Sequence, residues 1–312
     1  MDSYVSFPGL GIENIPVREW IFRIPLGGDN VFYVRWYSIL IVMGLLLAAW
    51  YAFRRADEFG LNKDSMTDVV LVSALFAILG ARIYYVLFSG DRAEYFDDPL
   101  SILRIWEGGL AIYGGILGAF GTALWMCKIK KVDTLRMFDI AAPGFLIGQA
   151  LGRWGNFFNQ EAFGGNTTLP WGMTGSEISA NVQGLSYNSA QPVHPTFLYE
   201  SLWCLLGLIL VHTVSKKAYK FRGQLFSLYV IWYGMGRFFI EQLRTDSLYL
   251  GTMRVSCLVA ALAVIGGAAL YFILKGREER LPAVLFEEEQ ESEEQETDEQ
   301  EIEEEETDGS ED

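Results

Sequence analysis

The chain has 312 residues, of which 51% are hydrophobic and 14% aromatic, and its mean hydropathy is +0.21. That composition excludes an ordinary soluble globular domain and puts the chain among membrane proteins. The formal charge of -15 is not spread over the molecule: 17 of the 39 acidic residues lie from Phe286 onward, where there is no Lys or Arg, and the rest of the chain is near +2.

In chain order, MDSYVSFPGLGIENIPVREW (1–20) has acidic residues and prolines where a cleavable signal carries a basic segment and an apolar stretch, so no such signal is expected. Apolar windows then approach the ~20 residues needed to cross hydrocarbon: 36–53, 69–88, 109–127, 196–215, 224–240 and 255–274, with a weaker one at 137–151 that holds Asp139, Pro143 and Gln149. The expected fold class is an all-α polytopic membrane protein of about seven spans. Residues 1–280 form its body, and 281–312 form a disordered acidic tail, because a block of like charge cannot bury itself. Lys and Arg collect in every second connection: 54–63, 128–136, 216–222 and 275–280. Cytoplasmic loops gather positive charge, so the N-terminus is expected outside and the tail in the cytoplasm. The long connection 152–195, between spans four and five, is the one large enough for a small extracytoplasmic head. Cys127, Cys204 and Cys257 are scattered and odd in number, which makes neither a disulfide framework nor a metal site.

An ionisable group inside a span costs several kcal/mol, roughly 2.5 to 3.5 near the centre, so each needs a partner or a task. Here they crowd toward the outer half: Arg82, Glu107 and Tyr113 around spans two and three, Arg153 at the end of span four, Glu200 near the start of span five, and Tyr233, Arg237 and Glu241 on span six. Tyr233, Arg237 and Glu241 stand at i, i+4 and i+8, so Arg237 can pair with Glu241. If the helix of span four continues, Arg153, Asn156 and Gln160 share a face with Glu161 beside it. Structural ion pairs with snorkelling arginines are one reading. The other is a polar cavity in which arginine forks hold a phosphate, the nearest one at that depth being an anionic lipid headgroup. Of the two histidines, His212 lies at the far end of span five, whereas His194 precedes Pro195 on the side of the arginines, suited either to proton work or to helix initiation.

GRWGNFFNQEAFGG (152–165) resembles the signature of the prolipoprotein diacylglyceryl transferases, and the likeness continues through RWYSILIV, GARIYYVLF, WEGGLAIYGG, HPTFLYE and YGMGRFFIEQLR. The resemblance implies a seven-span enzyme of the bacterial inner membrane. It would transfer the diacylglyceryl group of phosphatidylglycerol to the lipobox cysteine of a preprolipoprotein and release glycerol 1-phosphate. It implies roles for Arg153, Asn156 and Glu161, for Tyr37 in span one, Arg82 in span two, and Arg237 and Glu241 in span six. Tyr233 and Glu200 join them as lipid-binding candidates. One departure stands out: relatives have His where this chain has Tyr113, so the thiol base is left between Tyr113 and His194. The implied partners are phosphatidylglycerol and lipobox signal peptides in the membrane, with no nucleic acid; no cofactor or metal is expected, since the substrates bring both nucleophile and leaving group. A lipid or anion transporter is the alternative, and it would need two matched half-sites with alternating access.

Overall fold

The computed structural model describes residues 3–27, 30–88, 95, 98–105, 108–183, 191–251 and 253–278. The expectations for the acidic tail and for Glu107 lie outside the described residues. Among the described residues seven helices of 18 residues or more dominate: α1 (Trp36–Arg55), α2 (Lys63–Phe88), α3 (Ile112–Ile129), α4 (Thr134–Asn159), α6 (Thr196–Lys217), α7 (Gln224–Glu241) and α8 (Val255–Glu278), with a short α5 (Ser176–Gln183) before α6. Each long helix overlaps one expected window. Five of them, α1, α2, α3, α6 and α8, are long and apolar enough to cross a membrane. Their outward faces carry exposed Leu46, Leu71, Leu117, Ile209 and Ile265, as a lipid-facing surface requires.

Small residues set the packing. Gly80 of α2 lies against Gly114 and Gly118 of α3, so closely that an added Cβ would fall 2.4 Å from the Gly114 carbonyl oxygen. Between α1 and α4, Gly44 faces Gly148 and Gly144 faces Ala48. Such contacts let helix backbones approach where lipid supplies no hydrophobic drive. Trp203 of α6 and Trp232 of α7 stack at 4.4 Å between centroids, each indole donating to the other residue's carbonyl. Helix α4 starts on Asp133, whose carboxylate accepts from Arg136 N. Helix α7 starts on a group from another helix: buried Asp139 of α4 accepts from Gly223 N, Phe226 N and the Tyr219 hydroxyl. That carboxylate thus serves as the cap that Gly223 has no side chain to supply.

The all-helical expectation needs one correction. The chain also contains strands: β1 (Tyr4–Phe7), β2 (Ile12–Pro16), β3 (Trp20–Gly27), β4 (Asn30–Arg35), β5 (Thr174–Gly175), β6 (Tyr249–Leu250) and β7 (Met253–Arg254). β1 pairs antiparallel with β2 and also with β5, through Val5↔Gly175 and Ser6↔Thr174. The head is therefore not made by 152–195 alone. Residues near the N-terminus complete it, and its core joins Val5 and Val17 to Phe163, Met173, Val193 and Phe197. The physical reason is that a four-residue strand and a two-residue strand bury too little apolar surface to show a period of their own; each is stabilised only by the distant partner.

Candidate active site

The site forms where the end of α4, the start of α6, the end of α7 and the segment after it converge. Its centre is Glu200 of α6, 6% exposed. Three guanidinium groups from three elements meet this carboxylate: Arg153 of α4 at 2.6 Å from Oε2, with Arg237 of α7 and Arg244 at 3.1 and 3.3 Å from Oε1. Arg237 also pairs with Glu241 at 2.6 Å, one turn along α7, as the i, i+4 spacing requires. Around Arg153, its own guanidinium donates to Asn156 Oδ1, and Asn156 and Asn159 both donate to Glu161 Oε1 at 2.9 and 3.1 Å. The signature thus folds into a chain of bonds running from Glu200 through Arg153 and Asn156 to Glu161.

The three arginines are not equivalent. Arg244 grips Asp246 with two parallel bonds, 2.9 and 2.7 Å, while reaching Glu200, and its side chain is 10% exposed. Burial alone would lower its pKa, but the bond to Asp246 and the fields of Asp246, Glu200 and Glu241 raise it further, and Asp246 is held below the usual carboxylate range despite its own burial. Arg153 and Arg237, at 22% and 18%, are the more open pair. Of the five N–H donors that each guanidinium carries, these two direct only some to protein among the described residues. They can accept a phosphate without giving up Glu200.

Other anticipated residues lie around this centre or apart from it. Tyr37 of α1 packs its ring on Gly155 of α4, where a Cβ would sit 2.2 Å from Cδ2. Tyr233 stacks on Tyr229 one turn before Arg237, and Tyr229 accepts from Gln149 of α4. His194 contacts Tyr199 (Nδ1 to hydroxyl, 3.2 Å), and burial holds its pKa below the ordinary histidine value. Its backbone pairs with the turn after α4, Gly164 N donating to the His194 carbonyl and His194 N to that of Gly165, while Gly165 N donates to the carbonyl of Leu243 after α7. Tyr113 opens α3 half exposed, its ring 6.4 Å from that of Tyr84. Arg82 is spent elsewhere: its donors go to the carbonyls of Ser101, Ile102, Gly108 and Gly109, so it clamps the loop between α2 and α3. Gln160 does not share the face of Arg153. The helix ends at Asn159, Gln160 takes a left-handed conformation, and its side chain turns to Ser3 and the backbone of Glu177.

Sequence reasoning passed over Arg244, Asp246 and Arg254. Arg254 donates to the carbonyls of Glu241 and Arg244 and ties the segment after α7 to the start of α8. The available signal was Arg244 standing three residues after Glu241, a continuation of the same helical spacing past the apolar window.

A family model described as prolipoprotein diacylglyceryl transferase matches residues 28–273. A Bacillus cytotoxicus protein is 45% identical over 225 residues, covering 72% of this chain and 82% of its own length. One from Bacillus licheniformis is 44% identical (78% and 90%) and one from Bacillus cereus 43% (79% and 89%). All three carry the name phosphatidylglycerol--prolipoprotein diacylglyceryl transferase. The match spans α1 through most of α8 and takes in every arginine that meets Glu200; this chain is a membrane transferase belonging to the prolipoprotein diacylglyceryl transferase family.

Proposed function

We propose that the enzyme moves the diacylglyceryl group of phosphatidylglycerol onto the cysteine thiol of a preprolipoprotein. In the step, the thiolate sulfur bonds to the terminal glyceryl carbon of the diacylglyceryl group as the C–O bond to phosphate breaks. The electron pair leaves on glycerol 1-phosphate, and the thiol proton passes to a base or to solvent. The observation that carries the reading is the trio of arginines on Glu200. Arg153 and Arg237 retain donors for the phosphate, and preorganised cations act where negative charge grows on the leaving group. Arg244 orients Glu200, which in turn holds the two open guanidiniums. Asn156 and Glu161 bind headgroup hydroxyls or steady Arg153, Tyr37 and Tyr233 line the approach, and Glu241 fixes Arg237. Arg82 shapes the loop between α2 and α3 and serves the lipid only through it.

The thiol, near pKa 8.5 when free, needs about 1.5 units of help at pH 7, roughly 2 kcal/mol, which one well-placed cation supplies. A dedicated histidine is therefore not required. Tyr113 and His194 serve as neighbours of the thiol, with water or a carboxylate taking the proton. The proposal includes seven crossings, the Glu200 end outside the bacterial plasma membrane and the tail in the cytoplasm, in line with the Lys and Arg placement. Purified protein incubated with phosphatidylglycerol and a lipobox peptide should yield a diacylglyceryl thioether and glycerol 1-phosphate in equal amounts. A stable protein that binds both and forms neither product would sink the assignment.

A further inference from the structure

At the end of the bundle away from Glu200 lies a second cationic cavity. From Arg153 to Arg136 along α4 is 17 residues, about 25 Å at the α-helical rise, so the two sites sit at opposite faces. This cavity, about 230 Å³, is lined by Glu58, Phe59, Gly60, Arg136, Tyr219, Lys220, Phe221 and Arg222. The acids around it already have partners: Glu58 is paired by Arg55 and Lys216 at 2.7 and 2.6 Å, and Asp133 by Arg222 at 3.1 Å. The cations are less engaged. Arg136 is partly buried, yet among the described residues its guanidinium makes a single long bond, 3.4 Å to the Phe59 carbonyl. Lys220 is exposed and its ammonium has no ion pair among the described residues. Gly60 adopts φ +61°, and a Cβ there would fall 2.9 Å from Arg136 Nη1, so this glycine leaves the guanidinium uncovered. Phe59, Tyr219 and Phe221 supply an aromatic wall, with Phe59 and Tyr219 5.4 Å apart.

We infer that this cavity binds the phosphate of an anionic phospholipid in the leaflet opposite the transfer site, with Arg136 and Lys220 as its ligands. Basic pockets between transmembrane helices suit phosphate headgroups, and the aromatic wall suits the boundary between headgroup and chain. The lipid would bridge the start of α4 to the segment before α7. Both helices carry arginines of the Glu200 site at their other ends, so its role is to hold their relative position.

Native mass spectrometry of the full-length protein with phosphatidic acid, which has no glycerol leaving group, tests the idea against phosphatidylcholine and millimolar inorganic phosphate. Wild type should retain one more phosphatidic acid than Arg136→Gln/Lys220→Gln, with binding weakened roughly thirtyfold in the double variant, the loss expected for two juxtamembrane cations. Lys220→Gln alone, at an exposed position that leaves the fold untouched, should lose roughly fivefold by the same scale. Arg153→Gln acts at the other face, so adding Arg136→Gln/Lys220→Gln to it should remove one further phosphatidic acid, as it does from wild type. Inorganic phosphate that competes with the lipid in wild type and not in the double variant would support the phosphate site and assign it to a free ion. Equal retention by wild type and both variants, or equal retention of phosphatidylcholine, would overturn the inference. So would carbodiimide cross-links from Lys220 to residues 287–312 that phosphatidic acid leaves undiminished, since they would give the cavity to the chain's own acidic segment.

Discussion

Arg153 and Arg237 offer the same charge that lysines would, and the difference lies in shape. A guanidinium can hold Glu200 with one edge and a phosphate with another, whereas an ammonium is a point charge without that planar fork. Arg153→Lys is expected to insert and fold but to lose at least about tenfold in transfer rate, because the lost fork acts on the leaving group. A near-normal rate would mean that the position supplies charge alone. At His194 the expectation is milder: His194→Gln should lose less than about a hundredfold, with part of the loss recovered between pH 7 and 9 as the substrate thiol ionises unaided. Complete loss in a folded protein, unrescued at pH 9, would make this histidine the base. The variant has a second signature. Burial lowers the His194 pKa, so on acidification through the unfolded value near 6.5 the unfolded chain binds more protons and wild-type stability decreases as the pH is lowered. His194→Gln should flatten that acid-side fall in thermal unfolding.

At the scale of elements, the site depends on α4 lying close to α1. Gly155→Ala would drive a methyl group into the Tyr37 ring and should cost about 1–3 kcal/mol, as overpacking does. Thermal unfolding together with the transfer rate reads this out, and unchanged values for both would show that Tyr37 moves aside freely. The helices were legible because hydrocarbon demands long apolar runs; each expected window falls on a helix within a few residues. The pairing of Arg237 with Glu241 was legible for the same local reason, since one helical turn fixes it. What the sequence hid was long-range. The partner of Arg237 on α6, the return of Arg244 to Glu200 and the pairing of β1 with β5 join residues 37, 44 and about 170 positions apart. No periodicity records such contacts. Gln160 misled for a related reason: an unbroken helical pattern does not announce the left-handed residue that ends it.

For the whole molecule, charge is divided between a near-neutral body and an acidic C-terminal segment. Removal of residues after Pro282 should leave transfer within a few-fold of wild type, because every group that meets Glu200 lies upstream of Val255. Loss of folded protein or of activity on truncation would show that the segment does more than carry charge.

The strand pairing also restricts how the chain is threaded. β1 and β5 share backbone hydrogen bonds, so residues 5 and 175 must lie on the same side of any bilayer, and the chain between them crosses an even number of times. α1, α2 and α3 are apolar enough to cross; if all three do, three is odd, and parity recruits α4, despite its Asp139, Pro143 and Arg153. The link between Gly165 and Leu243 applies the same rule to the next interval. In that interval α6 is apolar enough to cross, and if it does, α7 returns with it. On the proposed seven-span topology, the two helices that fall short of the apolar measure are the ones the head contacts require to cross, and they carry Arg153 and Arg237. Their polarity marks where the enzyme exchanges greasiness for chemistry, and a β-pairing of two residues a side holds the chain ends of that interval together.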